Sequence, residues 1–530
     1  PPRSIYHFST PPLLITHSSS PPVSPILTPN MSPATAALLS ILIGAIGLLI
    51  RLRRRRSTRK LPPGPASLPI LGNLHMLGSL PHRSLTNLAK KYGPIMSIRL
   101  GLVPAVVVSS PETAELVLKT HDAVFASRPK MEVGEYFHYG FKGIILTEYG
   151  PYWRNMRRLC TVKLLNQAKV ESFAGVRRKE VASFVQSLKE AAAARELVDV
   201  TRSVASVIED MVCLMVTGRR SDEKYKLKEI IHTAAQQAGA FNIGDVIPFL
   251  KPLDLQGLTR GIKKTSKAFD GVLEIIIDEH IREGGGDGQR PEDFIDVLLS
   301  MMDRPMDSRE DSVTMKRTNM KAILTDMIGA AMDTSTGGVE WAVAELLNHP
   351  RVMKKVQEEM QSVVGRERMV EEGDLGRLPY LEMVVKEAMR LHPPGPLLVP
   401  RESLEDITVE GYDIGKGTRV IVNAWAIGRD REAWSDNAEE FFPERFEGSG
   451  VDMVGQDYQL IPFGSGRRGC PGLRLGLATV RFVLAQLVHC FDLELPGGKA
   501  AGEVDMGEKY GLTMPKAHHL LAYPTYRLDS

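Results

Sequence analysis

The segment Phe463-Gly464-Ser465-Gly466-Arg467-Arg468-Gly469-Cys470-Pro471-Gly472 presents one cysteine among glycines and arginines. Gly466 and Gly472 allow turns and close backbone approach that a Cβ would hinder. An apolar helix is expected from Leu473 to Cys490, which puts Cys470 just before a helix N-terminus. The dipole and free N–H groups of such an end favour a thiolate over a thiol. Arg468 adds a positive charge able to meet an anionic ligand. A single loop thiolate of this kind suits axial ligation of iron; the alternative is a structural cysteine in a Gly-rich turn. Gly464-Ser465-Gly466-Arg467-Arg468-Gly469 also fits G-x-G-x-x-G, but a dinucleotide site needs a strand before the motif and a helix straight after it. Pro462 precedes it and Cys470-Pro471 follow, so that use is excluded.

The segment resembles the haem-binding signature F-x-x-G-x-R-x-C-x-G of the cytochrome P450 monooxygenases. Phe463, Gly466, Arg468, Cys470 and Gly472 stand at every fixed position. The resemblance runs from about Arg51 to the C-terminus, and Phe125–Pro129 and Tyr510–Thr513 look most like plant microsomal members. It implies the cytochrome P450 fold, mainly α with a small β-rich part, as one large catalytic domain behind an N-terminal membrane helix. It also implies heme b, its iron bound by the Cys470 thiolate, with Phe463 and Arg468 beside the cofactor.

Three further motifs agree with it in chain order. Glu387-Ala388-Met389-Arg390 resembles E-x-x-R; its two charged residues are one turn apart and can pair with each other and with a third group. In the family the third group is the arginine of a P-E-R-F segment, here Arg445, which implies a buried Glu387–Arg390–Arg445 cluster locking the ligand loop. Ala330-Ala331-Met332-Asp333-Thr334-Ser335 resembles the oxygen-site segment, with Ala331 where the family usually has glycine. An acid and a hydroxyl in mid-helix have two readings: a threonine bonded to its own helix backbone, or a relay in which Thr334 holds dioxygen and water and Asp333 links them to solvent. Trp153-Arg154-Asn155-Met156-Arg157 matches W-x-x-x-R, which implies that Trp153 and Arg157, with Arg401 and Arg468, hold a haem propionate; a planar guanidinium suits a carboxylate. By family analogy Met131–Leu146, Ala235–Ile243, Ile323–Ser335, Pro396–Val399 and Leu512–Thr513 border the substrate, with Phe241, Ile323, Met327, Ala331, Leu397 and Leu398 as walls.

The implied reaction inserts one oxygen atom of O2 into a small, largely apolar organic molecule. Its electrons come from NADPH through a membrane-bound flavoprotein reductase, since the chain has no convincing nicotinamide or flavin motif of its own. Two rivals stand beside it. A haem-thiolate isomerase or dehydratase on the same fold would need no reductase, and Thr334 argues against it. A membrane-anchored haem-binding or ligand-binding protein without turnover is the other.

These residues need a scaffold, and the hydropathy pattern sketches one. Leu85, Leu88, Ala89 and Tyr92 fall at helical spacing over residues 81–93. Met96, Ile98 and Leu100 alternate with polar residues, and Gly101–Pro104 turns the chain into Ala105–Ser109, a hairpin. Ser110-Pro111-Glu112 opens another helix. From residue 150 to 390 the pattern is almost wholly helical, broken at Pro248–Pro252, at Gly284–Gly288 and near Gly365; a run from about Lys316 to Leu347 carries Asp333 and Thr334. Short strands are expected after residue 396, at Ile407–Val409 and Thr418–Val422.

The chain's 530 residues are 43% apolar and 24% charged, which excludes disorder throughout and a polytopic membrane protein. The net charge of +3 does not suggest nucleic-acid binding. Residues 1–60 hold eight basic residues and no acid, so the rest carries −5 and the positive charge is local. Four cysteines, none spaced C-x-x-C, support neither a zinc ribbon nor a disulfide scaffold. Residues 1–33 read as a disordered leader outside the mature protein, and 34–50 as a transmembrane anchor. Residues 51–66 form a basic stretch and proline-rich hinge, and 67–530 the haem-thiolate domain. Arginines after the apolar run, not before it, place the body in the cytosol at the endoplasmic reticulum membrane.

Overall fold

Prolines mark where helices begin. Pro81–Tyr92, Pro111–Glu115, Pro151–Leu159, Pro350–Val364 and Pro379–Leu391 all open on proline, whose missing N–H has no intrahelical partner there anyway. The computed structural model describes Gly44 and residues 59–220, 226–283, 291–305, 314–498 and 502–529. The leader at 1–33, the apolar run at 34–50 apart from Gly44, the arginines up to residue 56 and the link at Gly284–Gly288 lie outside the described residues. The chain forms two units, residues 1–59 and 60–530; the second is the one described below.

Its axis is the helix Arg317–Asn348, 32 residues and therefore about 48 Å long. Most of its side chains are buried, several of them charged, and the charges are paired. Lys321 reaches Asp270 and Glu274, Glu340 accepts from the Thr201 hydroxyl, and Glu345 meets His392 and His349. Buried ions need such partners. The helices Val200–Thr217, Pro379–Leu391 and Leu473–Cys490 pack directly against this axis. Leu473–Cys490 is also the one described helix long and apolar enough to cross a membrane, but two thirds of it is buried in the core.

The mainly helical expectation holds, and among the described residues the strands form three small sheets. The expected hairpin is β1 (Ile95–Leu100) against β2 (Val103–Val108), with Met96 opposite Val107. Later strands join it: β3 (Val198–Asp199), β4 (Arg401–Glu402), β5 (Ile407–Val409), β6 (Tyr412–Ile414), β7 (Arg419–Val422), β8 (Phe491–Glu494) and β9 (Leu521–Tyr526) complete the set. The sheets run β1-β2-β7-β4, β3-β9-β8 and β5-β6, with β2 and β7 parallel. Two details differ from the sequence reading. Pro248–Leu253 is a short 3-10 helix, since Pro248 sits at its first position where its fixed φ is helical. Val198–Asp199 is a strand inside the otherwise helical stretch because its partner, β9, arrives from the far C-terminus.

Candidate active site

The cysteine loop is shaped by glycines and held by three arginines. Gly466 has φ 68°, and a Cβ there would lie 2.2 Å from the Leu118 carbonyl oxygen. The Cys470 N–H donates to the Phe463 carbonyl at 2.9 Å, and Arg157 Nη2 donates to the Gly469 carbonyl at 2.6 Å. Arg401 bridges the Ser465 carbonyl and Asp122, and Asp122 also accepts from the Arg467 N–H. Cys470 itself keeps exposed surface, yet surrounding protein dominates its titration. Burial pushes its thiol up, while the Gly472 N–H and Arg157 pull it down without overcoming burial.

Beside the loop, Arg128, Arg401 and Arg468 are buried and Arg157 partly so, with Asp122 the carboxylate among them. Burial first, then repulsion from Arg401 and Arg157, pulls Arg468 down to about 9. Burial and the neighbouring guanidiniums also lower Arg128. Arg468 donates to the carbonyls of Ala126, Ile144 and Thr147, and lies 4.1 Å over the Trp153 ring. Trp153 spends its single donor on the Ile144 carbonyl at 2.9 Å. Trp153 thus lies under Arg468 and shares the Ile144 carbonyl with it. Buried cations in excess of carboxylate, next to a cysteine that keeps exposed surface, fit a planar iron porphyrin with anionic side groups.

On the central helix, Ala330 is exposed and Ala331, Asp333 and Thr334 are half-buried, although Asn319 to Ile328 is sealed. An open space thus touches the middle of the helix. The Thr334 hydroxyl donates to the Ala330 carbonyl at 2.7 Å, the backbone-bonded form of the two readings. Its oxygen keeps acceptor capacity. Burial raises the Asp333 carboxyl, and His232 partly offsets this.

Glu387, Arg390 and Arg445 come together. Arg390 donates through Nε and Nη2 to both Glu387 oxygens at 2.7 and 2.8 Å, and Arg445 Nε reaches Glu387 Oε1 at 2.9 Å. The remaining N–H groups of both arginines are taken by carbonyls of residues 428–440, a segment that precedes the cysteine loop.

The wall residues separate. Leu398, with φ 49°, puts a methyl 3.7 Å from the position of a Cβ on Gly464, beside the ligand loop. Ala331 keeps some exposed surface. Met327 and Leu397 are nearly buried, Phe241 is half exposed, and Ile323 has no exposed surface and packs in the main core. The phenyl ring of Phe463 lies against Gly476 of the following helix. Sequence reasoning missed Asp122, Arg128 and Asp326. Arg128 carried a signal, an arginine before Pro129 in a stretch already singled out, and Asp326 another, an acid inside the expected Ile323–Ser335 border; Asp122 had none.

Comparison with known proteins agrees with this geometry. Residues 62–522 match the family model described as Cytochrome P450. The chain is 55% identical over 501 residues to Cytochrome P450 CYP736A12 of Panax ginseng, covering 94% of this chain and all of that one. It is 41% identical over 509 residues to Flavonoid 3'-monooxygenase of Arabidopsis thaliana, covering 93% of this chain and 98% of that one. Among solved structures, a zebra fish cytochrome P450 with abiraterone superposes with a TM-score of 0.70 at 25% identity, covering 84% of this chain and all of that one.

Proposed function

The chain belongs to the cytochrome P450 family and is a haem-dependent monooxygenase, and from that premise we propose the roles of its residues. Haem with a thiolate ligand, O2, an organic substrate and an NADPH-fed reductase are what this family works with. When bound, haem supplies the oxygen activation: two electrons from NADPH and two protons let one atom of O2 enter the substrate while the other leaves as water.

Cys470 is the ligand. Its loop is preset by Gly466 and by the grips of Arg157, Arg401 and Asp122, so the sulfur is aimed before any ligand binds. Arg128, Arg157, Arg401 and Arg468 hold the anionic edge, exchanging some carbonyl partners for carboxylate oxygens. The exposed surface at both Cys470 and Ala330 supports reading the two openings as one chamber. Thr334 accepts and passes a proton at Oγ1 in that chamber, and Asp333 refills it from the solvent side. A carboxyl raised by burial holds its proton to higher pH than an ordinary one, which suits a donor. Ala331, in place of glycine, narrows the groove and tunes substrate geometry.

The substrate is a small, largely apolar molecule of plant secondary metabolism, and the similarity to a flavonoid 3'-monooxygenase supports a phenolic as the first class to try. Residues 34–50 anchor the protein in the endoplasmic reticulum membrane, with residues 67–530 in the cytosol; the uncharged run and the arginines behind it support this.

One observation carries the ligand assignment: a cysteine that keeps exposed surface beside buried, under-neutralised guanidiniums. The test is the reduced carbon-monoxide spectrum of hemin-reconstituted protein. Wild type gives the long-wavelength Soret band of a thiolate complex, and Cys470→Ala loses it. An unchanged band in the variant refutes the assignment. Turnover that needs both reductase and NADPH separates a monooxygenase from an isomerase.

A further inference from the structure

The segment from His138 to Thr147 is strained and closely tied down. Tyr139 and Phe141 both have left-handed backbones, at φ 52° and 63°, without being glycine. Such conformations persist only where their surroundings over-determine them. Ties to the central helix supply that. Asn319 donates to the Tyr152 hydroxyl, which donates to the Lys142 carbonyl, and Lys321 shares Asp270 with the Tyr139 hydroxyl.

The strongest tie is Asp326, which is 1% exposed. Its Oδ2 accepts from both the Ile144 and Ile145 N–H groups, 182 and 181 residues away in the chain. Its Oδ1 lies 2.6 Å from His138 Nδ1. Residue 143 is glycine for a visible reason: a Cβ there would stand 2.2 Å from Asp326 Oδ2. The other side of the same dipeptide serves the arginines. The Ile144 carbonyl accepts from Trp153 and Arg468, and the Ile145 carbonyl from Arg128. A single dipeptide therefore joins the central helix to the guanidinium cluster. Asp326, Ala330 and Thr334 follow each other at intervals of four on that helix, so the clamp sits two turns along from the proton-handling hydroxyl on nearly the same face.

We propose that Asp326 is a positioning residue: it clamps Ile144–Ile145 and so fixes both the wall of the ligand space over the Ala330–Thr334 face and the seat of Arg468 and Arg128. This rests on the haem-thiolate reading above. A released clamp lets the wall shift, which changes how bulky ligands fit far more than small ones. Since both N–H groups bond to one oxygen, an amide oxygen can replace it, so Asp326→Asn keeps the clamp while Asp326→Ala loses it. Gly143→Ala breaks the clamp from the other side and serves if Asp326→Ala does not fold.

The test combines hydrogen exchange with azole binding on the full-length holoenzyme. In Asp326→Ala or Gly143→Ala, exchange at the Ile144 and Ile145 amides accelerates by about tenfold or more, as loss of the acceptor that both buried N–H groups share requires. Asp326→Asn stays near wild type. The 4-phenylimidazole dissociation constant shifts by about tenfold in the clamp-broken variants, against little change for imidazole. Unchanged exchange in both clamp-broken variants overturns the clamp. Faster exchange with equal shifts for both azoles overturns its role in shaping the ligand space. Faster exchange in protein whose wild type forms no thiolate spectrum upholds the clamp and sinks the haem-thiolate reading instead.

Discussion

Arg445 Nε donates to Glu387 Oε1 at 2.9 Å across 58 residues of chain. Glu387 has no exposed side-chain surface and Arg445 little, and the same carboxylate is held by Arg390. The bond joins the helix Pro379–Leu391 to the segment ahead of the cysteine loop. Removing one partner leaves a buried charge short of compensation. Arg445→Ala should cost about 3–5 kcal/mol of stability, and Arg445→Lys should recover only part, because an ammonium cannot copy the guanidinium fork that also reaches Asn437 and Glu440. Denaturant midpoints of the two variants measure this; wild-type stability in Arg445→Ala would count against the cluster.

Glu444, next to it, gives the fold an acid-sensitive tie. Hydrogen bonding to Arg351, against the opposing effect of burial, holds its carboxyl down at about 2, with help from Tyr380 and Lys355. A depressed carboxyl stabilises the fold fully above its unfolded value near 4.5, and that contribution fades as pH falls toward about 2. It amounts to no more than ~3 kcal/mol. Glu444→Gln should therefore be less stable than wild type at neutral pH and should lose less stability between pH 5 and 2, roughly the span of that titration. Parallel acid limbs in the two proteins would show that Glu444 is not the group responsible.

Thr334→Ala should leave the fold and the thiolate spectrum unchanged, since among the described residues the hydroxyl bonds to its own helix at Ala330. Proton delivery should suffer instead: product per NADPH falls about tenfold or more, with hydrogen peroxide making up the difference. Asp333→Asn should slow turnover in the same sense. Coupling measured as product, peroxide and NADPH together decides it, and full coupling in Thr334→Ala rules out the relay.

Arg128→Met should weaken haem retention while relieving repulsion in the arginine cluster. It removes a guanidinium whose buried neighbours are Arg468 and Arg401 as well as the three carbonyls it bonds. Transfer of haem to an excess of apomyoglobin should speed up by about tenfold. An unchanged transfer rate would place the anionic edge elsewhere.

What the sequence by itself determined lies in short-range patterns. Five matched positions around Cys470 name the ligand chemistry, because a loop's turns and a following helix are local properties. The helix carrying Asp333 and Thr334 was legible as a long run free of proline, and the β1–β2 hairpin from the alternation of Met96, Ile98 and Leu100 ahead of a Gly101–Pro104 turn. Glu387 and Arg390 are one helical turn apart, so their pairing follows from 3.6 residues per turn. Tertiary structure alone decided the rest. Asp122 reaches Arg401 across 279 residues and Asp326 reaches Ile144 across 182, distances over which no pattern of spacing carries information. Burial was also its decision. Ile323 is sealed in core instead of lining open space, because exposure depends on what the whole chain packs around a group.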